Sequence, residues 1–192
     1  MITDIFFRKI RTYAALTEAA EAAWTALLRE NKYARGENFI REGQVPNRLA
    51  FVVTGLFSQY YTSDDGSMVI KYFFPEQRIA GSMSAMLKAE PGAFTITALE
   101  DTTVLEYDFA AFKQLVAQYP DIAAFYIRYM EQHWIVEKEP YEISLRHDTA
   151  KKRYEELLHK YPQLIKRLKK HQIASYLGIT PTQLSRIFFA NK

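Results

Sequence analysis

The sequence of 192 residues contains no cysteine. That absence excludes disulfides, thiolate metal sites, iron–sulfur clusters, cysteine nucleophiles and thiol-based redox sensing together. Long hydrophobic runs are also lacking, since stretches such as Leu49 to Val53 are far too short to span a bilayer. The N-terminus, Met1-Ile-Thr-Asp-Ile-Phe-Phe-Arg8, leads into an alanine-rich amphipathic segment carrying Glu18 and Glu21, so it lacks the uninterrupted apolar core of a signal peptide. A cytoplasmic protein that does not associate with membranes is expected. Histidine occurs only at positions 133, 147, 159 and 171, all beyond the β-rich sequence described below, so no imidazole cluster can line a barrel made from that region. Metal-dependent barrel chemistry is thereby removed. There is no Ser-His-Asp order and no glycine-rich phosphate loop, and Gly81-Ser-Met-Ser84 is too generic for a nucleophile elbow. No catalytic residue, metal or cofactor is expected. No internal repeat or low-complexity tract appears.

What is present is ample material for a core, with 48% hydrophobic and 15% aromatic residues. The most informative stretch is Lys169-Lys-His-Gln-Ile-Ala-Ser-Tyr-Leu-Gly-Ile-Thr-Pro-Thr-Gln-Leu-Ser-Arg-Ile187. Ile173, Ala174 and Leu177 share one helical face, and Gly178 just past them allows a sharp turn through positive φ. Thr180 is placed to cap a second helix, with Pro181 at its first position and Gln183 as the reciprocal capping-box partner. Leu184 and Ile187 then face inward, leaving Thr182, Ser185 and Arg186 outside on a helix short enough to enter a major groove. Arg186 is the best base-reading candidate. An ordinary helical hairpin would show the same apolar pattern, and charge separates the two readings. Residues 151–192 carry ten Lys or Arg against two Glu, a net of +8, leaving 15 against 20, or −5, for residues 1–150. A basic terminal module on an acidic body is the footprint of a phosphate-backbone binder.

Along the chain, Leu16 to Glu30 is predicted helical, with Thr17 as N-cap and Ala20, Trp24, Leu27 and Leu28 on one face. From about Lys32 to Asp108 short β-rich runs alternate with turn signals, among them Arg35-Gly-Glu, Thr54-Gly and Asp64-Asp-Gly. Alternation in Phe57-Ser-Gln-Tyr-Tyr-Thr and in Met68-Val-Ile-Lys-Tyr-Phe-Phe flanks the Asp65-Gly66 hairpin. This spacing predicts an antiparallel jelly roll. Helical sequence resumes at Asp108 or Asp121. In residues 121–138, Ile122, Tyr126, Tyr129, His133 and Val136 step as a heptad seam, and Ala123, Ile127, Met130 and Trp134 form a second stripe. One face is expected against the β domain and the seam against a second copy, with Pro140 ending or kinking the helix and another resuming from Arg146 to Tyr161. The fold class is thus α+β, a double-stranded β-helix with flanking helices over residues 1–118, a long connecting and dimerisation helix over 119–145, and a helix-turn-helix module over 146–192.

An N-terminal helix, a β-roll carrying Arg35-Gly-Glu followed by Gly43, Phe51-Val-Val-Thr-Gly55 and Asp64-Asp-Gly66, a long helix and Ile173-Ala-Ser-Tyr-Leu-Gly-Ile-Thr-Pro-Thr-Gln-Leu-Ser-Arg-Ile187 together resemble the Crp/Fnr, or catabolite activator, family of bacterial transcription regulators. The resemblance covers nearly the whole chain. It implies a cyclic-nucleotide-binding-like roll, a homodimer along the long helix and paired recognition helices on a palindromic double-stranded DNA operator, with RNA polymerase as a further candidate partner. It places Arg186 at the family's base-contacting position, and His171 beside Lys169 and Lys170 where a phosphate contact is usual. Two departures stand out. Family members that bind cyclic nucleotides follow a Gly with a Glu and later supply an Arg for the cyclic phosphate, whereas here Gly81 precedes Ser82 and Pro91 to Ala98 holds no Arg. An effector pocket of Gly81, Ser82, Met83, Ser84, Thr95 and Thr97, with Arg78 able to swing inward, is therefore expected to take a small molecule other than cyclic AMP. The family's module also adds a β-hairpin after the recognition helix, which is expected to be absent here, or the sequence to be shorter than the natural chain. The alternative function is a ligand-sensing or protein-interaction module that does not act through DNA, for which Phe188 and Phe189 would be interface residues.

Overall fold

A computed structural model describes residues 1–190, with side chains through Phe188. The chain opens with two helices, α1 (Ile2–Ile10) and α2 (Glu18–Leu27). Thr17 caps α2 by accepting the Ala20 N–H at 3.3 Å, although the helix is shorter at both ends than its apolar pattern predicts. The α1 helix was not expected. Its spacing of Phe6, Phe7 and Ile10 puts three buried side chains on one face, and Phe6 meets Trp24 edge-on at 5.1 Å.

Eight strands follow: β1 (Arg29–Tyr33), β2 (Asn38–Ile40), β3 (Arg48–Thr54), β4 (Phe57–Thr62), β5 (Met68–Phe74), β6 (Ile79–Ala80), β7 (Thr95–Ala98) and β8 (Thr102–Asp108), with a short helix α3 (Met83–Lys88) between β6 and β7. They form two four-stranded antiparallel sheets, ordered β1-β8-β3-β6 and β2-β7-β4-β5, which face each other as a roll. The apolar run in β3 follows from burial on both faces. Ala50 and Val52 point into the roll with Phe57, Phe74, Ile96 and Val104, while Leu49, Phe51 and Val53 point outward against α1, α2 and the later helices.

Asp108 caps α4 (Phe109–Gln118) by accepting the Ala111 N–H at 2.8 Å. Next come α5 (Pro120–Met130), a π-helical turn over Glu131–Val136, and α6 (Lys138–His147). The regular helix is interrupted just ahead of Pro140, by the π turn and Glu137, and α-helix resumes at Lys138. Pro140 sits in the first turn of α6. The following helix starts at Ala150 and not at Arg146, because Thr149 caps it through the Lys152 N–H at 3.3 Å. The elements are α7 (Ala150–Lys160), α8 (Pro162–Arg167), α9 (Lys170–Tyr176) and α10 (Pro181–Ala190).

The expected division of faces on the connecting helix is followed only in part. Ile122 is 0% and Tyr129 9% exposed, packed against the chain's own Phe125, Phe112 and Trp24, so neither can also face a partner. Tyr126 and His133 are half-buried, and Val136 is 58% exposed. Of the stripe assigned to the β domain, Met130 and Trp134 pack on the chain's own core, while Ile127 is 55% exposed. The π turn explains why the seam leaves the core partway along: each turn takes in an extra residue, so a regular heptad slips in phase.

Candidate nucleic-acid interface and effector region

The C-terminal turn motif is built by local chemistry. Gly178 takes φ +66°, and the Ile179 N–H reaches back to the Ala174 carbonyl at 3.0 Å, closing α9. Thr180 and Gln183 form the capping box: the Thr180 N–H donates to Gln183 Oε1 at 2.8 Å and the Gln183 N–H to Thr180 Oγ1 at 3.2 Å. Ile173, Ala174, Leu177 and Leu184 are buried together, which fixes α9 against α10. Thr182 and Arg186 stand exposed on the outer face of α10. Ser185 is half-buried and its hydroxyl donates to the Pro181 carbonyl at 3.0 Å, so both it and Gln183 have partners within the helix end. Lys169, Lys170 and His171 are exposed at the start of α9, with the Lys170 ammonium 5.5 Å from the centre of the Phe188 ring. The Phe189 side chain lies outside the described residues.

Counting charges in the sequence overstates what this surface can offer a phosphate. Arg167 is turned onto the roll, where its guanidinium holds Glu76 through two bonds of 2.9 Å and Glu100 through bonds of 2.5 and 3.3 Å. Arg153 is not the exposed cation expected of the Lys151-Lys-Arg153 run, because it donates to the carbonyls of Asp148 and Leu177. Lys152 pairs with Asp148 at 2.8 Å. Lys160, Lys166, Lys169, Lys170 and Arg186 are left exposed, with no ion pair among the described residues.

The whole C-terminal module is docked on the roll. Leu56, Ile70 and Phe73 of the second sheet form one apolar cluster with Tyr154, Leu157, Leu164, Leu168 and Leu177. Tyr176 lies between Phe73 and Tyr141, with ring centres at 5.2 Å on each side, and the Tyr141 hydroxyl donates to the Tyr176 carbonyl at 2.8 Å. These contacts join residues far apart in sequence, and no local signal could have shown them.

The residues expected to form an effector pocket do not converge. Gly81 has no open space beside it: a Cβ there would stand 2.5 Å from Leu49 and 2.9 Å from Met86. Met83 packs with the outer helical core, Ser84 is exposed and Ser82 is buried. The hydroxyls of β7 already have partners, Thr95 accepting the Glu42 N–H at 3.1 Å and Thr97 donating to Asn38 Oδ1 at 2.6 Å. Arg78 does not swing into the roll. It reaches the π turn and Glu137 just after it, the hinge between α5 and α6, bonding the Tyr72 hydroxyl at 2.6 Å, His133 and Glu137. His133 completes this cluster with the Tyr13 hydroxyl at 2.7 Å and Glu137 at 3.0 Å. Burial works against the Glu137 charge, but hydrogen bonds from His133 and Arg78 outweigh it and bring the carboxyl down to about 2. Burial pushes the Tyr72 hydroxyl up to about 12. Inside the roll, Glu106 is 2% exposed and is satisfied by the Tyr33 hydroxyl at 2.5 Å and Arg48 at 2.6 Å.

Among the described residues no group of three or more His, Asp or Glu is placed to hold a metal, and no helix is long and apolar enough to cross a membrane.

Comparison with known proteins locates this architecture. Residues 30–119 match the cyclic nucleotide-binding domain family. No curated protein matches the sequence. Among solved structures, FixK2 from Bradyrhizobium japonicum is similar at 19% identity and a TM-score of 0.73, over 85% of this chain and 84% of that one. The c-di-GMP responsive global regulator CLP of Xanthomonas campestris is 14% identical with a TM-score of 0.71, over 91% of both chains. The catabolite activator protein of Thermus thermophilus is 18% identical with a TM-score of 0.57, over 95% and 85%. At such identities the likeness is one of fold.

Proposed function

We propose, from the premise that residues 30–119 are a cyclic nucleotide-binding domain by family, that the chain is a homodimeric, sequence-specific DNA-binding transcription regulator whose roll does not take cyclic AMP in the usual way. The observation that carries this reading is the capped α9–α10 unit, with Thr182 and Arg186 outward on α10 and Lys169, Lys170 and His171 beside it. Backbone contacts from the α9 end would set the register on the duplex, and Arg186 would read a base edge. A two-fold operator needs two such units, with half-sites about one helical turn apart. Ile127, Ile135, Val136 and Ile143, all exposed on the run from α5 to α6, supply apolar surface for the second copy. Engagement of Thr95 and Thr97 within the protein, and the turning of Arg78 to the hinge, favour an effector other than cyclic AMP.

The test is binding to duplexes selected from random DNA, measured against salt. Arg186→Ala should cost about 1–3 kcal/mol on the selected duplex and leave random duplex unchanged, while Lys169→Ala or Lys170→Ala should weaken both alike and flatten the salt slope by about one. Absence of any salt-dependent duplex binding by the intact chain would overturn the reading and leave a ligand-sensing or protein-interaction module.

A further inference from the structure

Four hydrogen bonds hold one guanidinium of the C-terminal module on the roll. Arg167, the last residue of α8, donates to both oxygens of Glu76 at 2.9 Å each and to those of Glu100 at 2.5 and 3.3 Å. A lone ion pair at a surface contributes little, but a two-pronged fork shared by two carboxylates holds its geometry. Glu76 is itself fixed, since its Oε1 also accepts the Gly55 N–H at 3.0 Å. The carboxylates come from separate turns of the roll, Glu76 from the turn after β5 and Glu100 from that between β7 and β8, and one cation bridges them. Withdrawal of Arg167 leaves two like charges side by side.

The same residue adjoins the surface assigned to the phosphate backbone. Only Leu168, which is buried, separates Arg167 from Lys169, so their Cα atoms are at most about 7 Å apart. That span lies within one Debye length at physiological salt. Lys169, Lys170 and His171 stand exposed there, whereas the donors of Arg167 are taken up by the roll. A guanidinium fork fits a phosphate as well as it fits a carboxylate. The roll and a duplex are therefore rivals for one side chain.

We propose that Arg167 is a phosphate-binding residue held in reserve, and that Glu76 and Glu100 form an autoinhibitory clamp that keeps it from the duplex. The docked arrangement is the weakly binding one, because it hides a cation and sets two carboxylates near the phosphate-facing row. Opening of the clamp frees the guanidinium beside Lys169 and adds one contact to the DNA backbone. The clamp rests on the DNA-binding reading, and the measurements below tell the failure of one from the failure of the other.

Glu76→Gln combined with Glu100→Gln removes both charges and keeps an acceptor for the Gly55 N–H. The full chain carrying the pair should bind random duplex about tenfold more tightly than wild type, with a salt slope steeper by about one. Adding Arg167→Ala should remove the extra slope, whereas adding Arg167→Lys should keep it. Asp64→Asn with Glu90→Gln takes two exposed charges from the roll elsewhere and should leave the slope at its wild-type value. Docking is followed without DNA through amide exchange at Ile70, whose N–H donates to the Ser175 hydroxyl of α9 at 2.9 Å. Exchange there should be faster in the Glu76→Gln, Glu100→Gln protein. An unchanged slope in that protein, an extra slope that survives Arg167→Ala, or unchanged exchange at Ile70 would overturn the clamp while wild-type DNA binding stands. No duplex binding by wild type or any variant would overturn the DNA-binding reading, and the clamp with it.

Discussion

Ser175 of α9 and Ile70 of β5 are joined by a hydrogen bond of 2.9 Å from the Ile70 N–H to the Ser175 hydroxyl, which in turn donates to the Met68 carbonyl at 2.6 Å. The pairing closes part of the free edge of the second sheet, since β5 is its outermost strand. One side chain thus satisfies a backbone donor and a backbone acceptor, and it ties the turn motif to the roll. The first helix of the proposed DNA-reading unit is held by the roll.

Ser175→Ala is expected to leave both backbone groups without this partner. The site is part-exposed and water can replace some of the loss, so a cost of ~1 kcal/mol is expected, at the low end for an unpaired buried group. Amide exchange at Ile70 should accelerate more than exchange in β3. Unchanged protection at Ile70 would mean that the apolar cluster alone holds the module in place.

The hinge carries a pH dependence whose sign follows from Glu137. Its carboxyl is held at about 2, against a usual 4.5, by His133 and Arg78 acting over an opposing burial effect. A lowered folded-state value means that the stabilisation is fully present above about 4.5 and is lost as the pH falls toward 2. Glu137→Gln should therefore lower stability at neutral pH and flatten its decline between pH 4.5 and 2, followed by thermal unfolding at several pH values. Parallel curves for the two proteins across that window would show that the carboxylate contributes nothing differential.

What was legible in the sequence was local. Gly178, Thr180 and Gln183 declare their roles within four residues, and Thr17 and Asp108 cap their helices by the same short-range rule. The β region was legible because its turns and alternation are also local. Arg167 was not, since its partners Glu76 and Glu100 lie 91 and 67 residues away, and a charge count cannot distinguish a cation facing DNA from one bound to its own roll. The connecting helix misled for a related reason. Two apolar stripes in one helix carry no label for which faces the core, and the π turn at Glu131–Val136 breaks the period on which the stripes were drawn. Arg78 followed the same course: its closeness in sequence to Gly81 hid a partnership with Glu137 across the hinge.

Gly55 ends the Phe51-Val-Val-Thr-Gly55 stretch at φ +99°, in a region that favours glycine. Crowding adds to the conformational demand. A Cβ at this position would stand 2.6 Å from the Thr102 Cα and 2.8 Å from the Asp101 carbonyl oxygen, and backbone cannot step aside as a flexible side chain can. It would also stand 2.4 Å from Thr102 Oγ1, which accepts the Leu56 N–H at 3.1 Å and donates to the Glu100 carbonyl at 2.8 Å. Relief of the clash must therefore move β8 away from β3 or break the bonds that fix the β3–β4 turn. Gly43 is the natural control, with φ +81° and nothing within 4 Å of an added Cβ. Gly43→Ala should cost only the left-handed strain, about 1–2 kcal/mol. Gly55→Ala should cost that and the crowding together, more than about 4 kcal/mol, a loss reserved for a few severe mechanisms. Urea unfolding of the two variants side by side measures the difference, and equal midpoints would mean that the turn relaxes without disturbing the sheet.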